Sequence, residues 1–188
     1  MTDTRAAIAE HLELVAQVDA LVPALDGVAA ALVEVFRGGG RAYTLGNGGS
    51  AADAQHFAEE LVGRFKRERR PLPAQSLAAD GALLTCIGND YSFDEVFERQ
   101  IEAFVRPGDA VVAFSTSGRS ANVVRGLAAA HGAGATTVLF GGGDGGPAAQ
   151  HADHALVVPS TSTARVQEMH SLFLHLVLDR VDAWAAGG

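Results

Sequence analysis

The sequence predicts an α/β fold, a three-layer αβα sandwich on a five-stranded parallel sheet with two helices ahead of it, and three observations predict this. Five short segments rich in β-branched or apolar residues, at 41–45, 73–78, 110–114, 136–140 and 154–158, alternate with stretches of helical spacing, the rhythm of strand and crossover helix. The first 37 residues carry helical periodicity and lie ahead of any strand. The composition, 48% apolar and 19% charged over 188 residues, is that of one ordinary globular domain spanning 1–188.

The elements follow in order. Ile8, Leu12, Val15 and Val18 recur at helical spacing, and residues 22–36 repeat the pattern after Pro23, giving a helical pair over 1–37. Gly38-Gly39-Gly40 ends it. The five strands come next, each followed by a helical stretch, and parallel strands of this kind bind ligands in the loops beyond their carboxyl ends. The longest helix closes the chain at 163–184, with Val166, Met169, Leu172, Phe173, Leu176 and Val177 forming a broad apolar face. No repeat or linker interrupts this order.

Charge narrows the partners. Fourteen Lys and Arg against 22 Asp and Glu leave a net charge of −8, which repels nucleic acid and anionic membranes at long range. The single cysteine, Cys86, allows no internal disulfide, and residues 1–30 carry Asp3, Glu10, Glu13 and Asp19 where a signal peptide needs a cationic start and an apolar core. The expectation is a cytoplasmic protein with a small-molecule partner.

Two loops suit an anion. Gly46-Asn47-Gly48-Gly49-Ser50 follows the first strand, and Ser50-Ala51-Ala52-Asp53 then has capping-box spacing. Its glycines allow close backbone approach to a ligand, though a plain turn and cap account for them equally well. Ser115-Thr116-Ser117-Gly118-Arg119-Ser120 follows the third strand and opens a helix. Four hydroxyls in six residues exceed what capping needs and suit a phosphate monoester. A third loop, residues 141–146, matches G-x-G-x-x-G, but Pro147 to Gln150 leaves room for one helical turn and Thr161 stands where a ribose-binding acid would be. Nucleotide binding is therefore unsupported.

The ionisable residues are more ambiguous. On the helix after Ser50, the residues Asp53, His56 and Glu60 lie opposite the apolar stripe. A His/Glu pair four apart can hold a metal ion, or be one solvated polar face. The final helix carries Gln167, Glu168, His170 and His175; ideal periodicity makes Glu168 the companion of His175 and sets Gln167 about 80° aside. The basic run Arg64, Lys66, Arg67, Arg69 and Arg70 reads as a solvated loop.

Taken together, Leu45-Gly46-Asn47-Gly48-Gly49-Ser50, His56-Phe57-Ala58-Glu59-Glu60-Leu61, Gly88-Asn89-Asp90, Ser115-Thr116-Ser117-Gly118 with Ser120, and Ala164-Arg165-Val166-Gln167-Glu168-Met169-His170 followed by His175 resemble the bacterial phosphoheptose isomerases of the sugar isomerase, or SIS, family. The resemblance spans nearly the whole chain. It implies the flavodoxin-like SIS fold and an aldose–ketose isomerase that converts sedoheptulose 7-phosphate to D-glycero-D-manno-heptose 7-phosphate through an enediol, for heptose and cell-envelope glycan precursors. Its metal ligands fall on His56, Glu60, Gln167 and His175, with one zinc ion per subunit, so that Gln167 replaces the periodicity's choice of Glu168. Its substrate contacts fall on Asn47, Gly48, Gly49, Glu60, Asn89, Asp90, Ser115, Thr116, Ser117, Ser120 and Gln167. Glu60 is the implied base and His175 the implied acid. The family also implies a homotetramer with active sites between subunits. Ala164 stands where some relatives carry an acidic residue. Two other functions fit parts of the pattern: a non-catalytic SIS scaffold that binds the replication initiator, and a SIS domain that senses a sugar phosphate. An isomerase of another sugar phosphate would use the same groups.

Overall fold

The computed structural model describes residues 3–187. Its centre is a five-stranded, fully parallel sheet in the order β2-β1-β3-β4-β5, formed by β1 (Ala42–Gly46), β2 (Ala74–Ser76), β3 (Ala110–Ser115), β4 (Thr136–Gly142) and β5 (His154–Val158). Helices cover both faces, which is why every residue of β1 and β3 is buried and these strands read as continuous apolar runs. One face packs against α2 (Val22–Arg37), α3 (Gly49–Val62) and α7 (Thr163–Ala185). The other packs against α4 (Gly81–Asp90), α5 (Glu98–Phe104) and α6 (Ala121–Gly132). On the first face Phe57, Phe114 and Phe140 form a fully buried aromatic cluster with ring centroids 4.5–6.0 Å apart. Burial of each such ring contributes about 1.5–3 kcal/mol.

The leading helical pair is present as α1 (Thr4–Val15) and α2, joined by a 3-10 turn at Val18–Leu21, with Pro23 in the first turn of α2, where its missing N–H costs nothing. Ile8 and Leu12 on α1 are 55% and 60% exposed, so part of the periodicity that predicts α1 belongs to a face left uncovered within one chain.

Two boundaries differ from expectation in ways that shape the site. Strands β3 and β4 run past residues 114 and 140 because Ser115 pairs with Gly141, carrying rigid ladder into the bases of both following loops. The capping box is absent: α3 is capped by Gly48 at φ 56° with no side-chain bond, and Ser50 is buried inside the helix. Strand β2 covers only the middle of 73–78.

Sequence moves outward from β1 in both directions, to β2 on one side and β3 on the other. The crevice between the ends of β1 and β3 is thus the switch point where open α/β sheets take their ligands, and the glycine and serine loops flank it.

Candidate functional site

The two loops at the switch point are tied together. Asn47 Nδ2 donates to Asn122 Oδ1 and Asn122 Nδ2 donates to Asn47 Oδ1, each at 2.9 Å. This reciprocal amide pair joins the glycine loop to the first turn of α6, and Asn122, only 2% exposed, is a residue the sequence reading missed. Its one signal is its place just after the serine loop.

Within the serine loop, Ser115 Oγ accepts from Gly118 N–H at 3.1 Å and Ser117 Oγ accepts from Arg119 N–H at 3.2 Å. Both hydroxyls therefore keep a proton to donate. Ser120 caps α6 by position but makes no side-chain capping bond. Its hydroxyl is free for a ligand at a helix start, where the backbone favours negative charge.

Gln167 on α7 lies over the glycine loop. A Cβ added to Gly49 would stand 2.3 Å from Gln167 Nε2, so the amide rests directly on the glycine and any side chain there would displace it. Glu168 is turned the other way: its carboxylate takes His11 Nδ1 on α1 at 2.8 Å and Arg165 Nη2 at 2.5 Å. The periodicity argument for Glu168 as the companion of His175 is thereby overturned, because α1 claims that face of α7.

The polar face of α3 is packed rather than solvated. His56, Glu60 and His175 present ligand atoms that all lie within 4.8 Å of one another. His56 Nε2 is 3.4 Å from Glu60 Oε1, and the His56 and His175 rings meet edge to face at 5.2 Å. Phe65 stacks on His175 at 5.5 Å. Burial, aided by nearby His56 and Lys66 and opposed by Glu60, holds the His175 pKa below its usual value. Asp53, one turn before His56, faces Ser171; burial raises its pKa against the pull of His56, and its Oδ2 is a buried oxygen without a hydrogen-bond partner. Two imidazoles and a carboxylate converging on one point form the kind of nitrogen and oxygen donor set that zinc takes.

Two further residues hold these elements in place. Of the basic loop after α3, expected to be solvated, Arg64, Lys66, Arg67 and Arg70 are exposed but Arg69 is an anchor: its side chain is 1% exposed, donates to Asp182 Oδ1 on α7 at 3.0 Å, and donates to the carbonyl oxygens of Glu60 at 2.6 Å and Leu61 at 2.8 Å. One guanidinium thus closes the carboxyl end of α3 and fastens it to α7. His170 is fully buried, with Nε2 donating to Gly141 O at 3.0 Å and burial lowering its pKa to about 4. It is a neutral core histidine.

Asn89 and Asp90 stand apart from this cluster. They lie at the exposed end of α4, where Asn89 Nδ2 donates to Asp90 Oδ1 at 2.8 Å.

Comparison with known proteins places this architecture. The SIS domain family model matches residues 7–142. The phosphoheptose isomerase of Aquifex aeolicus is 51% identical over 155 residues, 82% of this chain and 81% of that protein. That of Geobacter sp. strain M21 is 45% identical over 183 residues, 97% and 95% of the two chains. The solved structure of the phosphoheptose isomerase of Neisseria gonorrhoeae superposes with a TM-score of 0.90 at 40% identity, covering 95% of this chain and 96% of that one. This chain therefore belongs to the SIS domain family, and within it to the phosphoheptose isomerases.

Proposed function

We propose that this protein isomerises sedoheptulose 7-phosphate to D-glycero-D-manno-heptose 7-phosphate, an aldose–ketose isomerisation that supplies heptose precursors. The observation that carries the reading is the convergence of His56, Glu60 and His175 beside a crevice lined with glycine and serine loops. Such an isomerisation needs a base to take the proton from the carbon beside the carbonyl and a second group to move a proton between the two oxygens. Glu60 is the base: it takes the carbon-bound proton and returns it to the neighbouring carbon after the enediol forms. His175, kept neutral at pH 7 by its lowered pKa, manages the hydroxyl proton. The hydroxyls of Ser115, Thr116, Ser117 and Ser120 hold the phosphate, and Asn47, Gly48, Gly49 and Gln167 border the sugar.

Zinc fits the donor set, with His56, Glu60 and His175 holding it and Gln167 as the fourth ligand by resemblance; when bound, it would polarise the carbonyl. Removing metal with a chelator should abolish turnover, and adding zinc back should restore it. Asn89 and Asp90, exposed in one chain, reach substrate in a homotetramer whose active sites lie between subunits, with α1 contributing to the interface. A fully active monomer in sedimentation at assay concentration would remove that reading. Among the described residues no helix is long and apolar enough to cross a membrane, in keeping with a cytoplasmic enzyme.

The deciding experiment offers purified protein a series of ketose phosphates of different chain length. Turnover should peak at the seven-carbon substrate, with solvent exchange of the proton beside the carbonyl. A preference for another length would reassign the substrate, and no exchange with any would end the isomerase reading.

A further inference from the structure

The glycine-rich stretch 141–146 has a nucleotide-binding pattern without a nucleotide site; its first two glycines end β4, and the loop beyond them, 143–146, is used by none of the proposed chemistry. Its contacts run to the serine loop. Gly118, at φ 61°, leaves so little space that an added Cβ would stand 1.8 Å from Gly145 O and 3.0 Å from Gly146 N. Reciprocally, a Cβ on Gly146, at φ 55°, would meet Gly118 O at 2.6 Å and Ser117 O at 2.7 Å. Ala148 N–H, in the 3-10 turn that follows, donates to Gly118 O at 3.0 Å. Asp144 completes the seam: its Oδ1 accepts from Gly146 N–H at 2.9 Å, and its carboxylate pairs with Arg119 Nη2 at 2.7 and 3.0 Å.

We infer that the 141–146 loop is a mould for the phosphate loop, with Gly146 and Asp144 as positioning residues that fix Ser117, Gly118 and Arg119 in their anion-binding shape. The serine loop's own bonds, from Gly118 N–H to Ser115 and from Arg119 N–H to Ser117, close its turn, but the Gly118 carbonyl oxygen and the Arg119 guanidinium find their partners across the seam. The outer side of the turn is thus set by a neighbour, and a neighbour without side chains can approach closely enough to donate and accept directly. An anion site made of neutral donors depends on their alignment more than a lysine site does, because no net charge makes up for a misplaced bond. The inference rests on the reading of Ser115 to Ser120 as the phosphate site.

The test compares two alanines in one loop. Gly146→Ala presses on the serine loop. Gly143→Ala also sits at positive φ, 66°, but its Cβ would meet only Thr161 Cγ2 at 3.8 Å, so it shares the positive-φ strain without the push, and melting temperatures report that strain in each. Gly146→Ala should raise both the KM for sugar phosphate and the inhibition constant of inorganic phosphate about tenfold, the loss of one charge-assisted bond, with kcat within about twofold. Gly143→Ala should move neither constant. Equal changes in the two variants, or none in Gly146→Ala, would overturn the mould. If Gly146→Ala does not fold, Asp144→Ala, which adds no atom to the seam, should raise the same two constants about two- to fivefold, and unchanged or lowered constants would overturn the inference. A Ser117→Ala, Ser120→Ala double variant separates the two levels. Weakened phosphate inhibition there, with none in the seam variants, sinks only the mould; unchanged inhibition there sinks the phosphate reading and the mould with it.

Discussion

The two halves of the site are built on opposite principles. The half proposed to hold phosphate is made of backbone and hydroxyls from one short stretch, with Ser115 and Ser117 each accepting a backbone N–H inside the loop itself. The half proposed for proton transfer is made of charged and ionisable side chains from α3 and α7, helices far apart in sequence and fastened by Arg69 and Asp182. Bonds within a loop hold shape at little cost, whereas ionisable groups in a shared pocket must be held against repulsion and desolvation. The first half should therefore tolerate single changes with partial loss of binding, and the second should fail steeply.

The steepest failure expected is at Glu60. Glu60→Gln keeps the volume and removes the base, and kcat should fall about 10²–10⁴-fold with the fold intact. Near-normal solvent exchange of the substrate proton in the folded variant would break the contrast at its strongest point. Next is the fastening: Arg69→Ala leaves the buried Asp182 carboxylate with the Lys66 and Arg67 N–H groups and a longer contact to Arg67 Nη1, and leaves the carbonyl oxygens of Glu60 and Leu61 without their donor, a loss of about 3 kcal/mol, read as a lowered denaturant midpoint. A change under about 1 kcal/mol would mean that the helices are held by their apolar seam alone.

His170 lies where the halves meet, on α7 but bonded to Gly141 at the base of the mould loop. Its pKa of about 4 in the folded protein, against an ordinary 6.5, means that unfolded chains take up a proton first as pH falls. The stability this group contributes is complete above about pH 6.5 and is lost progressively down to pH 4, by up to about 3 kcal/mol. Replacing it in His170→Gln should flatten that part of the stability–pH curve, and an unchanged slope would show that other groups carry the acid sensitivity. The smallest effect belongs to the loop. Ser120→Ala should weaken binding of the phosphorylated substrate by about 1–3 kcal/mol while leaving an unphosphorylated sugar unaffected; equal losses for both would mean that the hydroxyl shapes the crevice instead of reading phosphate.

The same division decides what the sequence revealed. Strand order of appearance, the two leading helices and the final helix were legible because each is a local periodicity; α7 differs from 163–184 by one residue. The serine loop was legible because its chemistry is contiguous. The face of α3 was not: periodicity shows that Asp53, His56 and Glu60 share a side, but only packing against α7 turns that side from solvated to half-buried. Glu168 misled for the same reason, since ideal helix geometry cannot know that α1 supplies His11 to meet it. Arg69 is indistinguishable in sequence from its basic neighbours, because its partner Asp182 is distant in the chain, and Gln167 is singled out by family resemblance alone.

The fastening of α3 to α7 also bears on how the protein is made. Arg69 and Asp182 are 113 positions apart, and His175 precedes Asp182 by only two helical turns. While the chain is still being synthesised, Glu60 and His56 are present long before the helix that completes their site. A nascent chain lacking the last helix lacks His175 and also Val166, Met169, Phe173 and Val177, which cover one face of the sheet. The last helix of the chain therefore completes the His56, Glu60 and His175 cluster, long after the loop of residues 115–120 has been made.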